Sequence, residues 1–173
     1  MARARMRQGI RALLSWTTPV DEDLAAVYLS PPLLALFRRM RRSEQLHSLN
    51  VLRTLRRQGY DDPPLLVAAL LHDVGKSRAP YHLWDRVLVV LAKAAMPDRV
   101  RQWGSAPHPP VGWRRPFAVS IQHPRWSADM VAAAGADPLV VELIAVHQQH
   151  LDHPPRTRLE HLLQALQAAD DVN

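Results

Sequence analysis

The segment LLVAALLHDVGKSRAP, residues 65–80, decides how this chain is read. Residues 65–71 are apolar without a break, and the run ends on His72-Asp73, with Gly75 and Lys76 close behind. Just upstream, Asp61-Asp62-Pro63-Pro64 pairs an acidic cap with prolines suited to a first helical turn. A helix apolar on every side is a buried helix. An ionised carboxylate at its tip is costly unless a cation or hydrogen-bond donors meet it. The stretch therefore predicts a central helix that carries an imidazole and a carboxylate to a place where something compensates them.

Helical periodicity extends outward from this segment. Asp21 opens a short helix with Leu24, Val27 and Tyr28, and Ser30-Pro31-Pro32 starts another with Leu33, Leu36, Phe37 and Met40 on one face. Ser43 is placed to cap a helix over about 44–58, closed by Gly59 and bearing Leu46, Leu49, Leu52 and Leu55. Residues 83–96 read as a helix through Leu83, Val87, Leu88 and Leu91. The stretch to about 118, rich in Pro, Gly and Trp, reads as irregular, with Trp103, Trp113 and Phe117 pinning a loop to the core. A helix near 124–134 ends at Gly135, Asp137-Pro138 caps one through about His147, and Pro154-Pro155 precedes the last, 156–170. No alternating strand pattern occurs. The expectation is an all-α fold in a single domain over 1–173, with N-terminal helices in 1–42 and an insertion over 77–122.

Composition bounds the function classes. The chain has 173 residues, 47% of them hydrophobic, and no Cys, which excludes disulfides, thiolate metal sites and a cysteine nucleophile. Its apolar runs at 65–71 and 87–92 are too short to span a bilayer, and the basic N-terminus lacks the long apolar region of a signal peptide. A cytoplasmic protein with no membrane partner is expected. The net charge of +6 comes mainly from Arg clusters such as Arg38-Arg39 and Arg56-Arg57, which read as solvated helix faces, and no nucleic-acid signature accompanies them.

Placing the polar residues on these helices brings out a constellation. His47 lies mid-helix, His72 and Asp73 end the apolar helix, and His123 stands at a helix entry. His147 follows Val140 and Leu143 on the inward face, and Asp170 continues the stripe of Leu163 and Leu166 while Asp171 is rotated away from it. Each of these residues has an ordinary structural role available to it. Four His and two Asp, each near the apolar side of a different helical segment, are however a suitable donor set for one or two divalent ions (Mn, Fe, Zn, Co or Mg), and such an ion would compensate the charge on Asp73.

His47, then LLHDVGK with His72-Asp73, then Asp170 in LQAADDVN, resembles the H…HD…D pattern of the HD superfamily of metal-dependent phosphohydrolases. The resemblance implies a helical bundle in which His47, His72, Asp73 and Asp170 hold a first metal. QHPRWSADMVAAAGADPLVVELIAVHQQH is similar to the second half of dinuclear members, which implies that His123 and His147 hold a second metal with Asp73 as the bridge. The chain departs from the HD-GYP phosphodiesterases in HQQHLDHPP: Gln148 stands where they have a second His, and Asp152 and Pro154-Pro155 only echo their motif. His150 and His153 read as solvated residues past a helix end.

Two metals roughly 3.5–4 Å apart can activate one water and clamp a phosphoryl oxygen. The resemblance implies that Lys76, one turn past His72, contacts phosphate, and Arg78, Arg114 and Arg115 are further candidates for substrate binding. The expected function is hydrolysis of a nucleotide or other small phosphate ester, with Asp73 and Lys76 as catalytic residues. An HD-type di-iron oxygenase and a non-catalytic HD-derived signalling module are the alternatives.

Overall fold

The computed structural model describes residues 19–105 and 112–173. The N-terminal segment read above for a signal peptide and part of the stretch read as irregular lie outside the described residues. All regular structure among the described residues is helical. In chain order the helices are α1 (Glu22–Tyr28), α2 (Pro31–Arg39), α3 (Arg42–Arg57), α4 (Pro63–Leu71), α5 (Leu83–Ala95), α6 (Pro97–Gly104), α7 (Arg115–Ala133), α8 (Pro138–Val146) and α9 (Arg158–Asp171), with short 3-10 turns at Val74–Arg78 and Gly112–Arg114.

The chemistry of the caps explains most boundaries. Asp62 and Asp137 accept the backbone N–H of Leu65 and Leu139, and each is followed by Pro in the first turn. Thr157 and Glu160 form a reciprocal capping box at the start of α9. Gly59 and Gly135 take left-handed φ values of 88° and 79° just past α3 and α7. The start of α3 differs from the sequence reading. The helix begins at Arg42, and it is Glu44 that accepts the Arg41 N–H. Ser43 sits inside the first turn.

α4 is the axis of the molecule. Leu65, Ala68, Ala69, Leu70 and Leu71 are fully buried, and Leu66 nearly so. Burying each Leu contributes on the order of 1.5–3 kcal/mol. The main core gathers α4 with Phe37, Leu49, Leu52 and Leu55 from the N-terminal helices and Leu143, Ile144 and Leu166 from α8 and α9. A second, smaller core of Tyr81, Val89, Val100, Phe117 and Val119 lies under the insertion. Trp103, Trp113 and Phe117 meet edge-on or tilted there, with ring centroids 5.1–6.2 Å apart.

Two corrections concern the insertion. The stretch read as irregular carries α6 and the beginning of α7. α7 then continues straight through His123-Pro124, so His123 is mid-helix rather than at an entry. Proline normally marks a first turn. Here one lost backbone hydrogen bond is tolerated inside a helix whose 117–120 and 127–128 positions are buried.

Gly75 acts through close approach rather than through a left-handed turn, since its φ is not positive. A Cβ on it would lie 2.7 Å from the Ser127 nitrogen, 2.8 Å from Ser127 Oγ and closer still to the His123 carbonyl oxygen. The Gly75 N–H donates to Ser127 Oγ at 2.8 Å. The backbone after Asp73 is thereby pressed onto α7 at the turn that bears His123. Gly75→Ala is expected to lower the unfolding free energy by about 1–3 kcal/mol through overpacking. Urea denaturation reads this directly, and an unchanged midpoint would contradict the packing described.

Candidate metal centre

α4 ends at His72, whose N–H still bonds the Ala68 carbonyl at 2.8 Å, and Asp73 begins the 3-10 turn that bends the chain away. Both side chains are thus held at the tip of the most buried helix, 2% and 6% exposed. The other candidate residues converge on them. α3 supplies His47, α7 His123, the end of α8 His147 and the end of α9 Asp170.

The imidazoles form a row, with centroid separations of 5.6 Å for His47–His72, 5.2 Å for His72–His147 and 5.2 Å for His123–His147. In three of them Nδ1 faces a backbone carbonyl of its own helix: His72 to Ala69 at 3.1 Å, His123 to Val119 at 2.9 Å and His147 to Ile144 at 2.7 Å. A carbonyl only accepts, so Nδ1 carries the hydrogen and a neutral ring keeps its lone pair on Nε2. Such outer hydrogen bonds set the tautomer and orientation of metal-binding histidines.

The Nε2 atoms point at carboxylates. His47 Nε2 is 2.7 Å from Asp170 Oδ1, and His123 Nε2 is 3.3 Å from Asp73 Oδ1. His72 Nε2 lies 3.7 Å from both Asp73 Oδ2 and Asp170 Oδ1, too far for a hydrogen bond, and this buried atom has no hydrogen-bond partner. A buried nitrogen lone pair without a donor, flanked by two carboxylates, is the donor chemistry of a metal ligand. Potential ligand atoms of His47, His72 and Asp73 all lie within 4.8 Å of one another, as do those of Asp73, His123 and His147. Each group could hold a metal ion, and Asp73 belongs to both.

Electrostatics keep these residues in ligand form. Burial pushes the Asp73 carboxyl up, but Lys76, His72 and His123 together hold it well below the usual carboxylate range. Lys76 Nζ lies 2.5 Å from Asp73 Oδ2. Burial pushes His147 down to about 3, helped by His72 and His123, and burial lowers His123 against the opposing pull of Asp73. Asp170 is raised by burial, yet the hydrogen bond from His47 and the nearness of His72 bring it down to about 2.

The arginines are engaged elsewhere. Arg78 lies over the Trp126 ring at 5.6 Å, Arg114 over Trp113 at 5.1 Å, and Arg115 pairs with Asp85 at 3.8 Å. His153 donates to the Pro154 carbonyl, and His150 is exposed. The surface hollows beside Asp21 and between Leu24 and Arg57 share no residue with the cluster.

Three neighbours were not among the site residues expected from the sequence. The Gln148 amide lies 3.3 Å from His123 Nε2. Gln167 of α9 donates to the carbonyls of His147 and Gln149, fixing the end of α8. Lys93 of α5 is lowered by burial and by the charge of Lys76. For Gln148 a signal existed, since it takes the place of a family His. Gln167 and Lys93 depend on long-range packing that no spacing encodes.

The sign of the pH dependence follows for protein freed of metal by a chelator. In the unfolded chain His147 protonates near 6.5, but in the folded chain only near 3. Between these values the unfolded state holds more protons, so stability falls as the pH drops through that window. The lowered Asp73 and Asp170 extend the loss below 3.8. Denaturant midpoints measured across the window should decline steadily and decline less in His147→Gln. A flat profile would contradict the burial of a neutral imidazole.

A family model for the HD domain matches residues 46–173, a span that begins beside His47 and contains every candidate ligand. Comparison with curated proteins found none that matches, and comparison with solved structures found none either. HD proteins are generally metal-dependent hydrolases, with some non-catalytic members. With that match over most of its length, an all-α fold and His/Asp groups able to hold a metal, the chain belongs to the HD-domain family.

Proposed function

We propose that this HD protein is a phosphohydrolase that cleaves a nucleotide or another small phosphate ester with the help of two divalent ions. The observation that carries the proposal is Asp73, shared between two His-containing groups and flanked by the cation Lys76. His47, His72, Asp73 and Asp170 would hold one ion, and Asp73, His123 and His147 the other. When bound, such ions supply Lewis-acid stabilisation of phosphoryl oxygens and lower the pKa of water enough to provide a nucleophile at neutral pH.

The chain's own residues orient and bind. The Nδ1–H bonds to Ala69, Val119 and Ile144 keep three Nε2 atoms aimed at the centre before any ligand arrives. Lys76, 19% exposed, sits at the boundary between the buried carboxylate and solvent. From there the N–H donors not given to Asp73 can reach a phosphoryl oxygen, where negative charge grows in the transition state. A cation beside the carboxylate favours an anionic phosphate substrate over the uncharged substrate and O₂ of an oxygenase. The intact donor set argues against a module that has lost catalysis.

The test is a phosphate-release screen over nucleotides and phosphomonoesters with Mn, Mg or Co, after metal analysis of the purified protein. At least one ester should be hydrolysed in a metal-dependent way. Lys76→Ala should keep its metal and lose on the order of 100-fold in kcat/KM, with partial recovery in Lys76→Arg. Metal-loaded protein that consumes O₂ and releases no phosphate from any ester would overturn the proposal.

A further inference from the structure

α5 is built inside out. Its charged side chains turn toward the protein: Arg86 reaches the buried Glu44 at 3.0 Å, and Asp85 accepts the His82 N–H at 2.7 Å and faces Arg115. Over 84–95, Val89 is the one buried apolar residue among those described, with Ala92 partly buried. Trp84, Val87, Leu88 and Leu91, spaced i, i+3, i+4 and i+7, form one stripe and are 80%, 41%, 45% and 64% exposed. Val90 is exposed beside them. The sequence reading used Val87, Leu88 and Leu91 to define this helix. The structure turns that face to the outside, because the ion pairs fix the opposite one. A contiguous apolar patch of this kind marks an interaction surface rather than scattered exposure.

We propose that α5 docks on an anionic lipid surface, lying in the bilayer interface with Trp84, Val87, Leu88 and Leu91 at the acyl boundary. The stripe carries no ionised group, and its only hydrogen-bonding side-chain group is the Trp84 indole N–H, a ring suited to the headgroup level. The helix has 13 residues. At about 1.5 Å per residue it is long enough to lie in the interface and too short to span the bilayer. No helix among the described residues is long and apolar enough to cross a membrane. The expectation of no membrane partner rested on that missing span, which does not bear on a helix lying flat.

Charge decides between a lipid surface and a second copy. With 22 basic and 16 acidic residues, the chain carries a net charge of +6. Two copies repel one another, whereas anionic headgroups attract the chain. The exposed cation Arg99 lies just past the same helix. The stripe from Trp84 to Leu91 also runs only about 10 Å along one helix, small beside the roughly 800 Å² per partner of a stable protein interface.

The test uses the full chain and does not involve activity. Co-sedimentation is measured with vesicles of phosphatidylcholine alone and of phosphatidylcholine mixed equally with phosphatidylglycerol. The chain should sediment with the mixed vesicles, less so as salt rises, and little with phosphatidylcholine alone. Leu88→Glu/Leu91→Glu should reduce partitioning by about tenfold or more while metal content and thermal unfolding stay as in the wild type. Trp84→Ser serves as a second variant if the double substitution fails to fold. Three results overturn the proposal: no sedimentation with mixed vesicles, binding unchanged in the α5 variants, or a wild-type dimer by analytical ultracentrifugation that the same variants convert to monomer.

Discussion

A carboxylate buried at the tip of an apolar helix constrains the rest of this structure. Isolating the charge of Asp73 from water carries a penalty of several kcal/mol that α4 itself has no means of offsetting. Within the chain the ion pair with Lys76 in the following turn offsets part of it, while His72 beside Asp73 and His123 fifty residues later bring ring nitrogens to the same carboxylate. Helix positions that look unrelated along the chain are therefore tied to a single point. α3, α7, α8 and α9 each present one donor there, and α4 with its turn presents two.

The precision of that convergence is a backbone matter as much as a side-chain one. The missing Cβ at Gly75 lets the turn after Asp73 seat directly against the His123–Ser127 turn of α7, with Ser127 Oγ taking up the Gly75 N–H. The carbonyls of Ala69, Val119 and Ile144 do the same for the rings, since each accepts an Nδ1–H and so leaves Nε2 as the free donor atom. Gln167 then ties the end of α8 to α9, the helices that bring His147 and Asp170. An ion entering this arrangement would meet ligands already oriented, with little ordering left to oppose binding.

Much of this was legible in the sequence because it rests on local rules. Asp62 with Pro63-Pro64, Asp137 with Pro138, and Gly59 and Gly135 bound their helices by chemistry confined to a few residues. The inward placement of His147 and Asp170 followed from their helical spacing to Val140, Leu143, Leu163 and Leu166. What escaped depends on tertiary context. His123-Pro124 read as a helix start because proline favours first turns, yet packing carries α7 through it. α5 read as an ordinary amphipathic helix. Spacing gives the existence of a stripe, and only the ion pairs of Asp85 and Arg86 say which way it faces. The distinct role of Gly75 likewise required the neighbouring helix to be in place.

Asp73 is common to both groups that could hold a metal ion, and metal stoichiometry tests this sharing most directly. Isothermal titration with Mn, checked by elemental analysis, should give two ions per wild-type chain and one for His147→Ala. For Asp73→Ala, both high-affinity events should disappear together. Retention of one ion at wild-type affinity in Asp73→Ala would show that the two groups do not share this carboxylate and would contradict the account.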